Sequence, residues 1–555
     1  MADKGSSSKG NNFIMQASIL AAAGIISRII GLLYRGPLDS VIGEVGLGYY
    51  HSAYNYYTII LLISSYSIPS AISKVIAQKL AIREYRNAHR IFLCAMGYVL
   101  VVGSIASLFL FFGAGLFVED AAVPVLRTFA PTIFVYGILG VLRGYFQAHK
   151  SMVQTSVSQI LEQIANAAVS IGAAYLWIQI TLGTMESPAD QAGVVKRAVS
   201  GAIGSAMGTG AGVLIALLFM LGIYGLNRGM IHRRIERDRH RNVDGYGRII
   251  KTITAVVTPF ILSTAVYNLS STVNNKLYTD IYPTERALDM VTITSRWGIF
   301  SKVQTISNIP IAFASAMASA MIPSVAQLIA ANDVEGAREK IGVAVKTTML
   351  ISIPCGMGLL VLAKPVIKLL FPSTPASSLE TAGVMLMALA LSVVFYALST
   401  LNSSILQGLG KVNTPIINAA IALILQTATA CLLLFYTDLD LYSIAIANTF
   451  YSGIMCVLNQ WAVRRAVGYK QELVRTFVIP FFASAVMGAA AWAVYEGMLL
   501  LTYSMQIAVI PAILVAACVY FVLLILLRGV SEEELRGMPK GYLLVKIAKK
   551  CHLMR

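Results

Sequence analysis

The sequence places a few charged side chains inside long apolar stretches, and these residues are the best candidates for binding a ligand. Four are cations, Arg28, Lys74, Arg143 and Lys302, and the clearest acid is Glu162. An ionisable group at membrane depth is costly and usually faces a cavity or an opposite charge. Because the cations outnumber the acids, such a cavity would suit an anion such as phosphate or pyrophosphate, which Arg binds through paired hydrogen bonds.

Several of these residues also have a purely structural explanation. Lys74 and Arg143 are expected about one helical turn from the membrane surface, where a long side chain can extend to water. Arg28 is deeper, and Arg35 follows it at two helical turns, so the two share a face; Arg35 could itself reach the interface. Glu162 is expected to pair with one of the cations.

An aromatic cluster at residues 49–57 contains five tyrosines together with His51 and Asn55. Tyrosine is enriched where a membrane meets water, so the cluster is typical of an interfacial belt. The alternative is an outer vestibule in which the rings and Asn55 contact sugar rings. Both interpretations stay open.

The composition defines the class of protein that must position these residues. The 555 residues include 43 Lys and Arg and 26 Asp and Glu, which gives a net charge of +17. Charged residues make up 12% and hydrophobic residues 57%, with a mean hydropathy of +0.72. Soluble domains carry about 25% charged residues. A large soluble enzyme, a disordered chain and a disulfide scaffold are therefore excluded, and an all-α polytopic membrane protein is predicted.

Apolar runs of about 20 residues predict fourteen transmembrane helices. Their approximate bounds are 13–35, 50–78, 90–117, 124–148, 152–181, 199–225, 250–278, 297–329, 342–370, 382–408, 414–436, 440–463, 474–496 and 505–528. Lys and Arg are concentrated in the loops of one side, most of all at 227–250, which predicts that both termini are cytoplasmic. Because this placement explains the basic loop, no nucleic-acid partner is expected.

A weak internal repeat divides the predicted helices into two lobes. Tyr136–Lys150 matches Tyr396–Gly410 at an offset of 260 residues, and Pro69 matches Pro323 at an offset of 254. Both offsets equal six spans, so the repeat is parallel, and two such lobes suggest a cavity that opens alternately to each side. The predicted parts are a cytoplasmic N-terminal tail 1–12, an N-lobe 13–226, a basic linker 227–250, a C-lobe 251–466, two further helices 474–528 and a basic tail 529–555.

Motifs for cofactors and catalysis are missing from the sequence. The glycine run at 201–212 has GxxxG spacing but follows no strand, so it indicates close helix packing and not dinucleotide binding. Gly408–Lys411 is no phosphate-binding loop, since Val412 stands where Ser or Thr is required. The six cysteines form no CxxC pair and are interpreted as buried thiols. We expect no enzyme activity, cofactor or metal.

Four stretches resemble bacterial polysaccharide-transport flippases of the multidrug/oligosaccharidyl-lipid/polysaccharide exporter superfamily. They are SRIIGLLYRGPL (Ser27–Leu38), SIPSAISKVIAQ (Ser67–Gln78), RGYFQAHKSM (Arg143–Met152) and EELRGMPKGYLL (Glu533–Leu544). Within the superfamily, the chain resembles the stage V sporulation protein B and MurJ-like lipid II flippase group of Gram-positive bacteria. The resemblance extends over essentially the whole chain.

The resemblance implies a flippase that carries an undecaprenyl-pyrophosphate-linked saccharide, such as lipid II, from the inner to the outer leaflet of the plasma membrane. A cationic central cavity would take the head group, and Arg28 matches the family's first-span arginine. The candidate substrate-binding residues are Arg28, Lys74, Arg143, Lys302, Glu162 and Asn55. The implied partners are the lipid-linked oligosaccharide, membrane lipids and cell-wall synthesis proteins.

Two alternatives remain beside the flippase. One is a multidrug or metabolite exporter coupled to sodium or protons, which needs an acid in the N-lobe; Glu162 is its candidate. The other is a membrane scaffold in cell-wall or spore-cortex synthesis that does not transport.

Overall fold

The computed structural model describes residues 22–66, 68–149, 151–186, 190–236 and 244–530, with residues 20, 188, 238, 532, 545, 546 and 549. The predicted tail 1–12, part of the linker 227–250 and nearly all of the tail 529–555 lie outside the described residues. Within the described ranges every regular element is a helix. The chain forms two compact units, Met1–Ser301 and Lys302–Arg555.

The first unit holds eleven helices among its described residues, the last of which continues into the second unit. They are α1 Ala22–Leu33, α2 Arg35–Leu61, α3 Ile68–Ala81, α4 Tyr85–Phe112, α5 Ala114–Phe117, α6 Val123–Ala148, α7 Met152–Leu182, α8 Gln191–Glu236, α9 Tyr246–Lys276, α10 Tyr282–Arg286 and α11 Met290–Ala330. Single π-helical turns connect α2 to α3 and α9 to α10.

The second unit continues with seven helices among its described residues. They are α12 Val334–Val361, α13 Ala363–Leu370, α14 Ala376–Gly408, α15 Asn413–Tyr436, α16 Leu441–Val467, α17 Ile479–Thr502 and α18 Met505–Leu526. In the first unit α6 packs against α2, α3, α4 and α8, and in the second unit α14 packs against α12 and α16.

The predicted membrane class is confirmed. Ten helices of the described part are long and apolar enough to cross a bilayer. In lipid, a backbone must satisfy its own hydrogen bonds, so long apolar runs become helices. The four other predicted spans fall on α1, on α2 with α3, on α9 and on α11, so fourteen spans fit the observed helices. The division into two lobes stays a prediction.

The loop expected between the first two spans is mostly helical. The helix continues past Arg35, and the break comes at Gly43, whose φ of 71° suits a residue without a side chain. The predicted spans 13–35 and 50–78 left residues 36–49 between them as a loop. Asp39 is instead only 2% exposed, since it packs inside the first unit.

The glycine run on α8 brings that helix close to α7, as predicted. A Cβ atom at Gly204 would lie 2.4 Å from the backbone nitrogen of Ala174, and one at Gly212 would lie 2.5 Å from the carbonyl oxygen of Glu162. Small residues allow helix backbones to approach in a membrane. This contact fixes α7, and with it the acid Glu162.

Candidate functional site

A buried ion pair joins two of the residues selected from the sequence. Arg143, near the end of α6, is 5% exposed. Its Nη2 donates to Glu162 Oε2 on α7 at 2.7 Å, and its Nε donates to Ser158 Oγ at 2.9 Å. Ser158 and Glu162 are one turn apart on α7, so a single helix face holds the guanidinium at two points. Arg143 therefore holds α6 against α7.

A polar cavity of about 230 Å³ lies beside this ion pair, inside the first unit. We call it the arginine–tyrosine cavity. Its charged lining residues are Arg35 and Glu162. The other polar or aromatic lining residues are Tyr34, Tyr50, Tyr54, Tyr57, Thr58, Tyr136, Gln163, Asn166 and Thr209. Hydroxyl groups, amides and one guanidinium thus surround a cavity between helices of the membrane domain.

Arg35 contributes the guanidinium of the arginine–tyrosine cavity. Tyr34, Tyr50 and Tyr54 line the cavity together with it. The rings are held by their own contacts: Tyr50 stacks on Tyr54 with centroids 5.7 Å apart, and the Tyr50 and Thr209 hydroxyl oxygens lie 3.4 Å apart. The sequence assigned Arg35 no binding role. Its shared helix face with Arg28 and the nearby tyrosines were the available signals.

The remaining selected cations lie elsewhere. Arg28 on α1 and Lys74 on α3 are exposed and do not line the arginine–tyrosine cavity. Lys302 belongs to the second unit and is 1% exposed. Its Nζ donates to Thr374 Oγ1 at 3.2 Å and lies 5.8 Å from the centroid of the Phe371 ring. The structure therefore places only Arg143 and Glu162 of the selected residues together.

Asn55 contacts a neighbouring helix instead of the arginine–tyrosine cavity. Its Oδ1 accepts a hydrogen bond from Ser271 Oγ on α9 at 3.1 Å. Four residues on, Asn275 Nδ2 donates to both the carbonyl oxygen and Oγ of Ser52 at 3.2 Å. Of the five tyrosines in the cluster, Tyr50, Tyr54 and Tyr57 line the cavity. The aromatic cluster at 49–57 thus lines the cavity with one face and contacts α9 with another.

One end of the first unit is closed by a tight contact between α2 and α11. A Cβ atom at Gly48 would lie 1.9 Å from the carbonyl oxygen of Thr294, and one at Gly298 would lie 2.0 Å from that of Glu44. Beside them, Thr294 Oγ1 donates to Glu119 Oε1 at 3.2 Å. Burial raises the pKa of Glu119 to about 7, above its ordinary value of 4.5. By the predicted topology this is the outer end.

The opposite end carries an ion-pair network. Lys79 Nζ lies 2.8 Å from Glu84 Oε2 and 2.6 Å from Asp244 Oδ2. Hydrogen bonds from Lys79 and Asn87 lower the pKa of Glu84. The backbone nitrogen of Arg86 donates to Asp238 Oδ2 at 2.8 Å, so Asp238 of the linker binds the first turn of α4.

The model of the lipid II flippase MurJ family matches residues 85–513 of this chain. The chain belongs to that family. Lipid II flippase MurJ of Bacillus subtilis (strain 168) is 23% identical over 495 residues, covering 85% of this chain and 86% of the relative. Stage V sporulation protein B of the same organism is 21% identical over 535 residues, covering 95% and 98%.

A solved structure supports the same fold. Lipid II flippase MurJ in an inward closed conformation matches with a TM-score of 0.60 and 14% identity, covering 92% of this chain and 97% of that chain. The family consists of membrane flippases, so the protein is a multi-pass membrane transporter of the lipid-linked precursor class and not an enzyme.

Proposed function

We propose that this protein moves an undecaprenyl-pyrophosphate-linked saccharide, with lipid II as the favoured cargo, from the inner to the outer leaflet of the bacterial plasma membrane. The observation that carries the proposal is the arginine–tyrosine cavity. A guanidinium binds phosphate oxygens through paired hydrogen bonds. Tyrosine hydroxyls and the amides of Gln163 and Asn166 offer hydrogen bonds to sugar hydroxyls. A pyrophosphate-linked sugar needs both a cation for its phosphates and hydrogen-bonding groups for its hydroxyls.

The cations divide into three roles under this proposal. Arg35, inside the cavity, binds the pyrophosphate, whereas Arg28, which is exposed two turns before it, contacts the head group before it enters the cavity. Arg143 is a positioning residue, because its Nη2 and Nε already donate to Glu162 and Ser158. Lys74 and Lys302 are assigned to contacts with the head group at other stages of transport, since neither lines this cavity.

Transport by alternating access requires the two ends to open in turn. The contact of Gly48 and Gly298 would keep the outer end shut while the head group enters from inside. Release then requires α2 and α11 to separate at this contact. The membrane potential favours the outward step, because moving one negative charge outward is worth about 2.3 kcal/mol per 100 mV.

One observation favours a second candidate, an exporter coupled to a cation. Glu162 lines the cavity, and an acid at membrane depth can carry a proton or sodium ion. Its carboxylate is already paired with Arg143, however, so coupling would require this ion pair to open. The flippase requires no such change and is the function we propose.

Complementation tests the proposal. A bacterial host is depleted of its lipid II flippase, and this gene is scored for growth and for lipid II exposed on the outer leaflet. We expect rescue by the wild type and loss of rescue in Arg28→Ala and Arg35→Ala. Arg233→Ala is the matched control, since Arg233 is exposed at the end of α8.

Three results can be distinguished. Rescue that depends on both arginines supports the cationic site and lipid II as cargo. Full rescue by both variants contradicts the cationic site. No rescue by the wild type, despite normal membrane expression, contradicts lipid II as cargo and directs the search to other polyprenyl-linked saccharides.

A further inference from the structure

A second cavity, of about 200 Å³, lies at the end of the first unit that carries the Lys79 ion-pair network. The ends of α4, α6, α7 and α8 enclose it, and it shares no lining residue with the arginine–tyrosine cavity. We call it the histidine cavity. Its charged or titratable lining residues are Tyr85 and His89 on α4, Tyr145 and His149 at the end of α6, and Arg234 on α8. From α3 and α7 the lining receives Leu80, Ser151 and Gln154.

The two histidines are held in defined positions. His149 Nδ1 lies 2.9 Å from the carbonyl oxygen of Tyr145, so this nitrogen carries the hydrogen and Nε2 is left to exchange a proton. The His149 ring also packs on the Tyr145 ring with centroids 4.4 Å apart. His89 Nδ1 is buried and has no hydrogen-bond partner among the described residues. A buried nitrogen of this kind is costly unless a ligand or water satisfies it.

The charge around the histidine cavity favours an anion. Of the described residues that line it, none is acidic, and Arg234 is a permanent cation. Three acids lie within three residues of a lining residue in the sequence, and each is engaged: Glu84 with Lys79, Asp238 with the backbone of Arg86, and Glu236 with His232. Burial, together with the charge of Arg234, lowers the pKa of His149, so the empty cavity holds a neutral imidazole. A bound anion would reverse this effect.

We propose that the histidine cavity binds a phosphate group, with Arg234 as the ion-pair partner and His89 and His149 as hydrogen-bond donors. The guanidinium and two imidazoles supply donors from α4, α6 and α8, so a bound phosphate joins three helices of the bundle. The phosphate can belong to a free phosphate ester or to an anionic lipid head group. This site is independent of the transport function proposed above.

Binding to the purified full-length protein tests the site. In detergent, inorganic phosphate is titrated against potassium chloride of equal ionic strength, and the thermal unfolding midpoint is recorded. In parallel, the protein is placed in phosphatidylcholine vesicles with or without phosphatidylglycerol. We expect the unfolding midpoint of the wild type to rise with phosphate and to saturate. In Arg234→Gln and His149→Gln the apparent Kd for phosphate should increase at least about tenfold, which is the effect of losing one charge-assisted hydrogen bond.

Arg233→Gln is the matched control, because Arg233 is exposed beside Arg234 in the sequence and does not line the cavity. A pH series with sulfate, whose charge is constant over the range, tests the histidines separately. Sulfate binding should tighten as the pH falls and should continue to tighten below about 6.5, the ordinary pKa of histidine, because burial lowers the pKa of both histidines when no anion is bound. The variant His149→Gln should flatten that dependence.

The detergent and vesicle measurements also identify the source of the phosphate. A response to inorganic phosphate in detergent supports a free phosphate ester, and a response confined to phosphatidylglycerol vesicles supports a lipid head group. No response to either probe overturns the proposal. A response of equal size in wild type, Arg234→Gln and His149→Gln overturns it as well, because the cavity would not be the binding site.

Discussion

Arg143 on α6 and Glu162 on α7 form a buried ion pair, with Nη2 2.7 Å from Oε2. Both residues were candidate ligand contacts in the sequence, and Glu162 was also expected to pair with a cation; the structure shows that this cation is Arg143. Ser158, one turn before Glu162, accepts a second hydrogen bond from Arg143 and donates to the carbonyl oxygen of Thr155. The pair therefore fixes α6 against α7 at the wall of the arginine–tyrosine cavity.

Breaking this pair on one side should be strongly destabilising. We expect either single variant to lower the free energy of unfolding by up to about 3–5 kcal/mol, with the larger loss in Glu162→Leu, because it leaves the buried Arg143 charge uncompensated, whereas Arg143→Met leaves a carboxylate that is 15% exposed. The double variant should recover most of this loss. A double-mutant cycle by chemical denaturation in detergent measures the coupling. Lys364→Ala is the control: its pair with Glu380 is solvent-exposed, and such pairs contribute about 0–1 kcal/mol. Equal losses in Arg143→Met and Lys364→Ala would contradict a structural role for the pair.

The contact of α2 with α11 should tolerate no side chain at either glycine. In Gly298→Ala the new Cβ would meet the carbonyl oxygen of Glu44, which belongs to the backbone and cannot rotate away. We expect a loss of about 1–3 kcal/mol from overpacking and faster amide hydrogen exchange across residues 290–300. Gly97→Ala and Gly172→Ala are matched controls in helix interiors with open space, where about 0.5–1 kcal/mol of stabilisation is expected. Unchanged exchange in Gly298→Ala would show that the contact is not tight.

The class of fold was predictable because the bilayer restricts the choices. A long apolar run in lipid can satisfy its backbone only as a helix, so composition and run length were enough to predict an all-helical membrane protein. The alternation of basic and acidic loops added a predicted orientation. The boundaries were less predictable: the predicted spans left residues 36–49 as a loop, whereas α2 begins at Arg35 and runs through this stretch with a break at Gly43.

The candidate site was only partly predictable because helix rotation and partner choice depend on packing between segments far apart in sequence. The sequence indicated that Glu162 needs a cation, but not that Arg143 supplies it. Arg35 lines the cavity because the chain near Tyr34 directs it towards α7 and α8, whereas Arg28 is exposed. Spacing along one helix identifies a shared face; it does not identify the helix that the face contacts.

Glu119 should make the contact between α2 and α11 depend on pH. Its pKa is raised by burial to about 7 in the folded protein, from an ordinary value of 4.5. A carboxyl with a raised pKa binds its proton more tightly when folded, so its stabilising contribution is complete below pH 4.5 and is lost as the pH rises through about 7. We expect the unfolding midpoint to fall over this range and Glu119→Gln to reduce that fall. An identical pH profile in Glu119→Gln would contradict the assignment, and Glu285→Gln, at an exposed glutamate, is the control.

The shape of the Arg35 side chain, and not only its charge, should matter for transport. A guanidinium presents five donors in a fixed fork, whereas an ammonium is a point charge. If Arg35 binds pyrophosphate, Arg35→Lys should lose about one charge-assisted hydrogen bond, worth about 1.5–3 kcal/mol, and slow transport roughly 10- to 150-fold. Arg35→Ala should be slower still, and Arg233→Lys should match the wild type. The rate at which fluorescent lipid II becomes accessible on the far side of proteoliposomes measures the effect. Wild-type rates in Arg35→Lys, with loss of transport in Arg35→Ala, would reduce the role of Arg35 to its charge; wild-type rates in both would remove it from the binding site.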